Sequence, residues 1–236
     1  MVKSIFFLNK VDSTQILAKS FIPFKKDLII VAKSQEKGYG RFQRTWYSPE
    51  GGLYFSFLLN LEENFLYNST IFDIVFHIVK SVVLSCEELF NLKEKLQIKW
   101  PNDIYYQDKK LCGILAEKEN NFLIVGCGIN VNEDCFPSFL EKAISLKMIL
   151  RRTITTYERY LLLENIFYKS FFKKIEKEEL VNFLKARNYL KNKKIRVALP
   201  NKEIIDICLD IADDYSLILS SGKKITTGEV VKVFYE

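Results

Sequence analysis

Glycine is scarce in this sequence: nine glycines occur among 236 residues, roughly half the share of about 7% in ordinary proteins. Each remaining glycine is therefore expected where the backbone cannot accommodate a side chain. Histidine is scarcer still, because His77 is the only one. One histidine leaves little material for a zinc site or a Ser-His-Asp triad. His77 lies in an apolar run, so we expect it to be structural.

The five cysteines are odd in number, and no two form a Cys-x-x-Cys pair (Cys86, Cys112, Cys127, Cys135 and Cys208). This pattern predicts free thiols in a reducing compartment rather than a disulfide framework. Long apolar runs are also missing, since no segment approaches 18 uninterrupted apolar residues. The apolar patch at residues 5–8 is too short for a signal peptide. We therefore expect a cytoplasmic protein with no membrane partner.

The residues that are present have the composition of a packed globular protein, with 48% hydrophobic and 27% charged residues. This composition excludes an intrinsically disordered chain. The net charge is +6, and residues 141–190 contain eleven Lys/Arg against six Asp/Glu. Because that stretch has a helical pattern, we expect the charge on solvated helix faces. A surface for an acidic protein partner is the alternative.

The hydrophobic pattern predicts an α+β region over residues 1–188, followed by a small all-β domain over residues 189–236. Strands are predicted at 4–8, 28–33, 53–59, 96–100, 103–106, 111–117 and 122–125. Helices are predicted at 14–21, at 71–90 and within 153–184. Five short β-type runs at 195–199, 203–211, 216–219, 223–226 and 230–235, separated by turn residues, predict a small barrel.

The first candidate site is the loop at residues 38–46. Gly38 and Gly40 leave the backbone free to approach a ligand, and Arg41 and Arg44 supply planar cations for a carboxylate or phosphate. Trp46 can stack on a flat ring or shield the site from water. The loop has neither the G-x-G-x-x-G pattern nor the spacing of a P-loop. A basic surface turn is the alternative interpretation.

The second and third candidates are Lys-Trp-Pro-Asn-Asp at residues 99–103 and the segment that begins at Lys110. Asp103 can act as an acid/base group or help to place a metal ion, and Asn102 can bond a nucleotide. A predicted hairpin brings Lys110 back beside the Asn102–Asp103 end of its partner strand, where Gly113 leaves room for a ligand. A Pro-Asn turn and a solvated turn lysine are the respective alternatives.

In order and spacing, these segments resemble the biotin–protein ligases, which attach biotin to the carrier domains of carboxylases. The resemblance covers about residues 12–132: Asp-Ser-Thr at 12–14, Gln35, the loop at 38–46, Lys-Trp-Pro-Asn-Asp at 99–103, Lys-Leu-Cys-Gly-Ile-Leu at 110–115 and Gly-Cys-Gly-Ile-Asn-Val-Asn at 126–132. It implies a catalytic domain of the biotin/lipoate ligase type with a mixed sheet, and a small C-terminal SH3-like barrel.

The resemblance also implies which residues form the site. Biotin binding is implied for Ser13, Thr14, Gln15, Gln35, Gly38, Tyr39, Gly40, Arg41, Lys110 and Gly113. ATP binding is implied for Arg44, Trp46, Lys99, Asn102 and Asn130. Catalytic roles are implied for Lys110, Arg41 and Asp103. No dedicated metal site is expected, because Mg²⁺ would arrive with ATP as MgATP.

The implied activity has two steps. Biotin and ATP give biotinyl-5′-AMP, and the biotinyl group then passes to a lysine of the biotin carboxyl carrier protein of acetyl-CoA carboxylase. Lys110 is expected at the biotin carboxylate and the α-phosphate, and Asp103 is a candidate for helping the acceptor amine lose its proton. Both a monomer and a homodimer are compatible with the resemblance.

The sequence departs from the family pattern at three positions: Gln15 replaces a frequent Asn, Tyr39 replaces an Arg and Gln43 replaces a Gly. Tyr39 and Gln43 leave a catalytically inactive binding protein as one alternative. A lipoate- or octanoyl-transferring enzyme, which shares the fold and the acyl–lysine chemistry, is another. A DNA-binding repressor is disfavoured, because the first motif begins at Asp12 and leaves no room for a helix-turn-helix. We expect a short form without a DNA partner.

Overall fold

The computed structural model describes residues 4–62 and 69–234 of the chain. Seven strands form the larger sheet: β1 (Ser4–Val11), β2 (Leu28–Gln35), β3 (Leu53–Asn60), β4 (Leu96–Lys99), β5 (Asp103–Tyr106), β6 (Lys109–Glu119) and β7 (Phe122–Ile129). Their order is β1-β2-β3-β7-β6-β5-β4. Strand β1 runs parallel to β2, and the other neighbours are antiparallel. The sheet is therefore mixed, as expected.

Five α-helices accompany the sheet in the described residues: α1 (Thr14–Ser20), α2 (Ile71–Phe90), α3 (Leu146–Leu150), α4 (Thr156–Phe172) and α5 (Lys177–Ala186). Helix α2 begins with a capping box, in which the Thr70 hydroxyl accepts from the Asp73 amide and the Asp73 carboxylate accepts from the Thr70 amide. Apolar side chains of α2 and α4, including Phe76, Val82 and Ile166, are buried in one core with the sheet.

The helical pattern predicted within residues 153–184 is present as two helices rather than one. Lys173 adopts an extended conformation at the end of α4, and α5 begins four residues later. Between the two helices, Ile175 packs against the core, which the break allows. The short helix α3, capped by the Ser145 hydroxyl, has no counterpart in the sequence-based prediction.

The smaller sheet contains β8 (Lys194–Leu199), β9 (Lys202–Ile211), β10 (Leu217–Leu219), β11 (Lys224–Ile225) and β12 (Glu229–Phe234). Its strands are antiparallel and follow the order β11-β10-β9-β8-β12. This confirms the α+β class with a separate C-terminal β region. The last predicted strand extends to residue 235, which lies outside the described residues.

The two sheets are connected by a shared core. Trp100, at the end of β4, donates its indole N–H to the carbonyl of Tyr215 over 2.8 Å. The Tyr215 hydroxyl donates in turn to the Asp73 carboxylate on α2. Apolar residues of β8 to β12 belong to the same buried cluster as those of the larger sheet. Across residues 4–62 and 69–234, no helix is long and apolar enough to cross a membrane.

Candidate functional site

The start of α1 places a group of polar side chains against the sheet. Ser13 caps the helix by accepting from the amides of Gln15 and Ile16, so its side chain is fixed at the helix N-terminus. Thr14 donates from its amide (2.8 Å) and from its hydroxyl (3.1 Å) to the Gln35 Oε1 atom. These bonds hold the end of β2 beside the first turn of α1.

Ser56 is the buried centre of this group. It occupies the middle of β3, where every residue is buried, and its hydroxyl lies 2.9 Å from Thr14 Oγ1 and 3.0 Å from Gln15 Oε1. Gly126 on β7 faces Gln15, because a Cβ there would stand 2.5 Å from the Gln15 amide oxygen. A side chain at position 126 would therefore displace Gln15. The side chains of Ser13, Thr14, Gln15, Gln35 and Ser56 therefore form one polar surface, which we call the polar floor.

The loop at residues 38–46 lies over this floor and is folded by its own backbone bonds. The Gly40 amide donates to the Arg44 carbonyl, and the Trp46 amide donates to the Gly38 carbonyl, both over 2.8 Å. Gly38 is tightly packed: a Cβ there would lie 2.6 Å from the Ser48 hydroxyl oxygen and 2.9 Å from the Trp46 carbonyl oxygen. The loop is thus an ordered turn, and Gly38 is required by close packing.

Lys110 and Asp103 form an ion pair at the other end of the site. Their Nζ and Oδ1 atoms are 2.8 Å apart, which agrees with the prediction that the β5–β6 hairpin brings them together. The turn is tighter than predicted, since β6 already begins at Lys109. Residue 110 therefore pairs with Tyr105, and Gly113 stands opposite Asp103. The long Lys110 side chain spans the remaining distance.

Lys99 adds a second cation at this end. Burial lowers the pKa of its ammonium group, and Asp103 opposes that effect. Among the described carboxylates, none lies within ion-pair distance of the Lys99 Nζ atom. A partly desolvated cation of this kind favours an anionic ligand.

The Trp46 ring packs against two glycines of the sheet, Gly113 on β6 and Gly128 on β7. A Cβ on Gly128 would stand 2.2 Å from the Trp46 Nε1 atom, and one on Gly113 would stand 2.9 Å from its ring. The Lys110 Nζ atom lies 5.0 Å from the ring centroid. The indole Nε1 is buried without a hydrogen-bond partner in the described part of the chain. A buried N–H without a partner costs about 1–3 kcal/mol, which a ligand oxygen can recover.

The C-terminal sheet contributes a turn to the site. Arg41 donates to the carbonyl of Gly228 over 2.8 Å, and Arg44 forms an ion pair with Glu229. Glu229 and the adjacent Val230 also line the cavity beneath the loop. The loop at residues 38–46 is therefore held between the two sheets.

Nearly all of the sequence-predicted residues line one cavity. It is lined by Ser13, Thr14, Gln15, Gln35, Tyr39, Gly40, Arg41, Arg44, Trp46, Lys99, Asn102, Asp103, Lys110 and Gly113. Gly38 is not part of the lining; it packs against the side chains of Ser48 and Gln35. The Asn102 amide group donates to the Ile114 carbonyl and so ties its own loop to β6.

A second cavity of about 470 Å³ adjoins the first, and Trp46 and Lys110 line both. Its wall contains the aromatic residues Tyr47, Phe136 and Phe139. Asn130, the remaining predicted residue, lines this second cavity. Its amide donates to the carbonyls of Lys110 (3.3 Å) and Ile144 (3.1 Å), so it fixes the backbone around Lys110.

No dedicated metal site is visible in the residues described. No group of three or more His, Cys, Asp or Glu side chains there is arranged to hold a metal ion. The carboxylate of Asp103 is already paired with Lys110.

Comparison with known sequences identifies the family. The sequence model of the "Biotin/lipoate A/B protein ligase family" matches residues 7–132, which is more than half of the chain. The chain belongs to this family. Within it, the Salmonella typhimurium protein named "Bifunctional ligase/repressor BirA" is 30% identical over 226 residues, covering 90% of this chain and 68% of that protein.

Two further comparisons show how far the likeness extends. The Escherichia coli protein of the same name is 35% identical over 136 residues, and the match spans only 40% of its length. A biotin protein ligase of Aquifex aeolicus, solved in complex with biotin and ATP, is 30% identical. It superposes with a TM-score of 0.78, over 96% of this chain and 97% of that one. The ligase fold thus includes both sheets.

Two of the three departures from the ligase family pattern, Gln15 and Tyr39, have a structural explanation, and the third, Gln43, has none. Tyr39 donates its hydroxyl to the Glu117 Oε2 atom over 2.9 Å, and Gln15 donates to the same oxygen over 2.8 Å. Gln43 has a φ of 57°, in the left-handed region that a glycine would occupy without strain. Phe42 beside it has the same φ, and the guanidinium carbons of Arg41 and Arg44 lie 5.2 and 5.8 Å from its ring centroid.

Sequence reasoning missed Ser56, Glu117 and the aromatic wall of the second cavity. Ser56 could have been found from the sequence, because it is the one serine or threonine among the large apolar and aromatic residues of 53–59. No sequence pattern could have identified Glu117, because its partners Gln15 and Tyr39 lie 102 and 78 positions away in the chain. Phe136 and Phe139 belong to an irregular segment without a helical or strand period, so no pattern marked them.

Proposed function

We propose that this protein is a biotin–protein ligase: it converts biotin and ATP to biotinyl-5′-AMP and transfers the biotinyl group to a lysine of a carrier protein. The observation that most strongly supports this function is the position of Lys110, which lines both cavities and pairs with Asp103. A reaction that joins a carboxylate to a phosphate needs one cation at the boundary between two substrate sites.

The first cavity is suited to biotin. Its polar floor offers hydroxyl and amide groups from Ser13, Thr14, Gln35 and Ser56 to the ureido ring, and Trp46 covers the middle of the cavity. Only a few fixed polar groups are needed to orient a ligand in a site of this kind. The similarity to the Aquifex aeolicus ligase, solved with biotin and ATP, supports the same assignment.

The second cavity is suited to the nucleoside part of ATP. Its aromatic wall can stack on a flat base, and Lys110 and Lys99 lie where phosphates would extend toward the first cavity. In the activation step, an oxygen of the biotin carboxylate attacks the α-phosphorus of ATP, and pyrophosphate leaves. Lys110 and Arg41 would hold the two anions together and offset the charge that develops at the α-phosphate.

In the transfer step, the acceptor amine attacks the acyl carbon of biotinyl-5′-AMP, and AMP leaves as the amide forms. The amine must lose a proton in this step. We propose Asp103 as its acceptor, and the position of this carboxylate in the first cavity beside Lys110 supports that role. The loop at residues 38–46 would protect the mixed anhydride from water.

The finer parts of the proposal concern partners and compartment. We propose the biotin carboxyl carrier protein of acetyl-CoA carboxylase as the acceptor, Mg²⁺ bound to ATP rather than to a protein site, and a cytoplasmic location. The odd number of cysteines and the lack of a Cys-x-x-Cys pair support a reducing compartment.

The decisive experiment incubates the purified protein with radiolabelled biotin, MgATP and a carrier domain. Protein-bound label and pyrophosphate release are expected, and a carrier with its acceptor lysine changed to arginine serves as the control. A parallel reaction with labelled lipoate tests the rival acyl transfer, which predicts lipoate incorporation instead. If neither pyrophosphate nor labelled carrier appears, the ligase function is rejected.

A further inference from the structure

Glu117 lies outside the lining of both cavities but contacts the first one through two of its residues. It is part of β6, opposite Ile124 of β7. Its Oε2 atom accepts hydrogen bonds from the Gln15 amide (2.8 Å) and from the Tyr39 hydroxyl (2.9 Å). Its Oε1 atom pairs with Lys19 over 3.0 Å. One carboxylate therefore connects α1, the loop at residues 38–46 and the sheet.

The bond to Tyr39 fixes the position of the loop. Tyr39 provides the side-chain hydrogen bond from the loop to β6, where Trp46 makes packing contacts, whereas Arg41 and Arg44 reach the C-terminal turn. The phenol is partly buried, and burial together with Glu117 raises its pKa. It therefore stays a neutral donor at ordinary pH, and its bond to the carboxylate is charge-assisted.

The bond to Gln15 fixes the orientation of an amide in the pocket floor. The amide nitrogen donates to Glu117 and to the Ile124 carbonyl (3.3 Å), and the amide oxygen faces the Ser56 hydroxyl. A flipped amide would bring its oxygen against two other oxygens, so only one orientation is stable. Glu117 and the Ile124 carbonyl together determine which atom of the Gln15 amide faces Ser56.

The two donors to the Glu117 Oε2 atom are also two of the three positions at which the sequence departs from the family pattern. Gln15 and Tyr39 are far apart in the chain but share one acceptor atom. Without this oxygen the Tyr39 hydroxyl would lose its acceptor, and the Gln15 amide would keep only the Ile124 carbonyl. Their pairing with Glu117 explains how Tyr39 can hold the loop without a cation at position 39.

We propose that Glu117 is a positioning residue of the biotin site. Glu117 holds the loop at residues 38–46 through Tyr39 and orients the Gln15 side-chain amide in the polar floor. This inference rests on the proposed function, because it assigns biotin to the first cavity. Glu117 itself does not contact the ligand. Its contribution is to biotin affinity and to the lifetime of bound biotin.

The test combines Tyr39→Phe and Glu117→Ala in a double-mutant cycle. Biotin affinity is measured by calorimetry and biotin dissociation by stopped flow, without ATP. Tyr39→Phe is expected to weaken biotin binding about tenfold, mainly by faster dissociation, because it loses one charge-assisted bond. Glu117→Ala is expected to weaken it further. Adding Tyr39→Phe to Glu117→Ala is expected to have no further effect, since both act through one bond.

Two further variants separate positioning from a general structural role. Lys19→Met removes the third partner of the same carboxylate and is expected to leave biotin affinity within about twofold of the starting protein. Glu117→Gln keeps an acceptor oxygen and is expected to recover most of the affinity lost in Glu117→Ala. The KM for biotin should rise in Tyr39→Phe while the KM for ATP stays unchanged.

Several results would overturn the inference. These are normal biotin binding by Tyr39→Phe, additive losses in the double variant, or an equal loss in Lys19→Met. If Glu117→Ala fails to fold, Tyr39→Phe and Glu117→Gln still decide the question. A starting protein that binds no biotin overturns the proposed function, and this inference with it. Binding by the starting protein with an unaffected Tyr39→Phe variant overturns this inference alone.

Discussion

At the scale of single residues, Lys110 contributes to the site through both its side chain and its backbone. The side chain pairs with Asp103 and lies over the Trp46 ring. The backbone amide donates to the Lys142 carbonyl, and the backbone carbonyl accepts from the Ile144 amide. These bonds attach the wall of the second cavity to β6. They therefore fix the backbone from which the Lys110 side chain extends between the two cavities.

We predict that Lys110→Ala lowers the rate of biotin adenylation by about 10²–10³-fold, the usual loss when one charge-stabilising contact to a transition state is removed. Biotin-dependent pyrophosphate exchange measures this step without a carrier protein. Lys109→Ala is the matched control, because Lys109 is the adjacent lysine and is exposed. Near-normal exchange in Lys110→Ala would contradict the role assigned to Lys110.

Residues linked by a short hairpin were predictable from the sequence, whereas residues linked across the fold were not. The pairing of Lys110 with Asp103 follows from a turn of a few residues between two strands. The meeting of Gln15, Tyr39 and Glu117 depends on the order of strands in the sheet, which local patterns do not specify. The sequence showed the chemical departures at Gln15 and Tyr39 but not the acceptor that explains them.

At the scale of elements, the function of the loop at residues 38–46 was predictable from the sequence, but its backbone conformation was not. Its motif predicted a ligand-binding loop, and the structure brings it to the cavity. The sequence alone did not show that Gln43 and Phe42 adopt positive φ values. Each such residue costs about 1–2 kcal/mol relative to an ordinary backbone conformation. The backbone bonds within the loop and the contacts to the C-terminal turn offset this cost.

Helix α2 provides a prediction about pH. Burial lowers the pKa of His77 from its ordinary value of 6.5, with the charge of Lys80 acting in the same direction. Below pH 6.5, His77 binds a proton in the unfolded state more readily than in the folded state, where its pKa is lower. The free energy of unfolding should therefore fall as pH decreases below 6.5, by up to about 1.4 kcal/mol per pH unit.

Urea unfolding at pH 7.5 and pH 5.5 measures this effect, with His77→Gln as the comparison. The glutamine amide can still donate to the Lys169 carbonyl, which His77 contacts through its Nε2 atom at 2.9 Å. The variant should lose less stability than the starting protein between the two pH values. An equal loss in both proteins would show that His77 does not take part.

At the scale of the whole molecule, the two sheets share one core, although the sequence predicted a boundary at residue 188. The sequence pattern changes from helical to β-type at that point, which shows where the kind of element changes. It does not show whether the two regions pack against each other. Tyr215 illustrates the connection: its carbonyl accepts from Trp100 and its hydroxyl donates to Asp73. Both partners belong to the first 188 residues.

We predict that Tyr215→Phe destabilises the protein by about 1–3 kcal/mol, because the buried Asp73 carboxylate loses a hydrogen bond. Denaturant unfolding should show one transition when followed by circular dichroism and by tryptophan fluorescence, since one core joins both sheets. Tyr157→Phe is the control, as Tyr157 is 70% exposed. Two separate transitions would show that the C-terminal sheet unfolds independently.

The wall shared by the two cavities has a thermodynamic consequence. Trp46 and Lys110 line both spaces, so a ligand that shifts either side chain changes the neighbouring space as well. On the proposed assignment, biotin and ATP are therefore reciprocal effectors. Whatever factor biotin applies to the affinity for the nucleotide, the nucleotide must apply to the affinity for biotin.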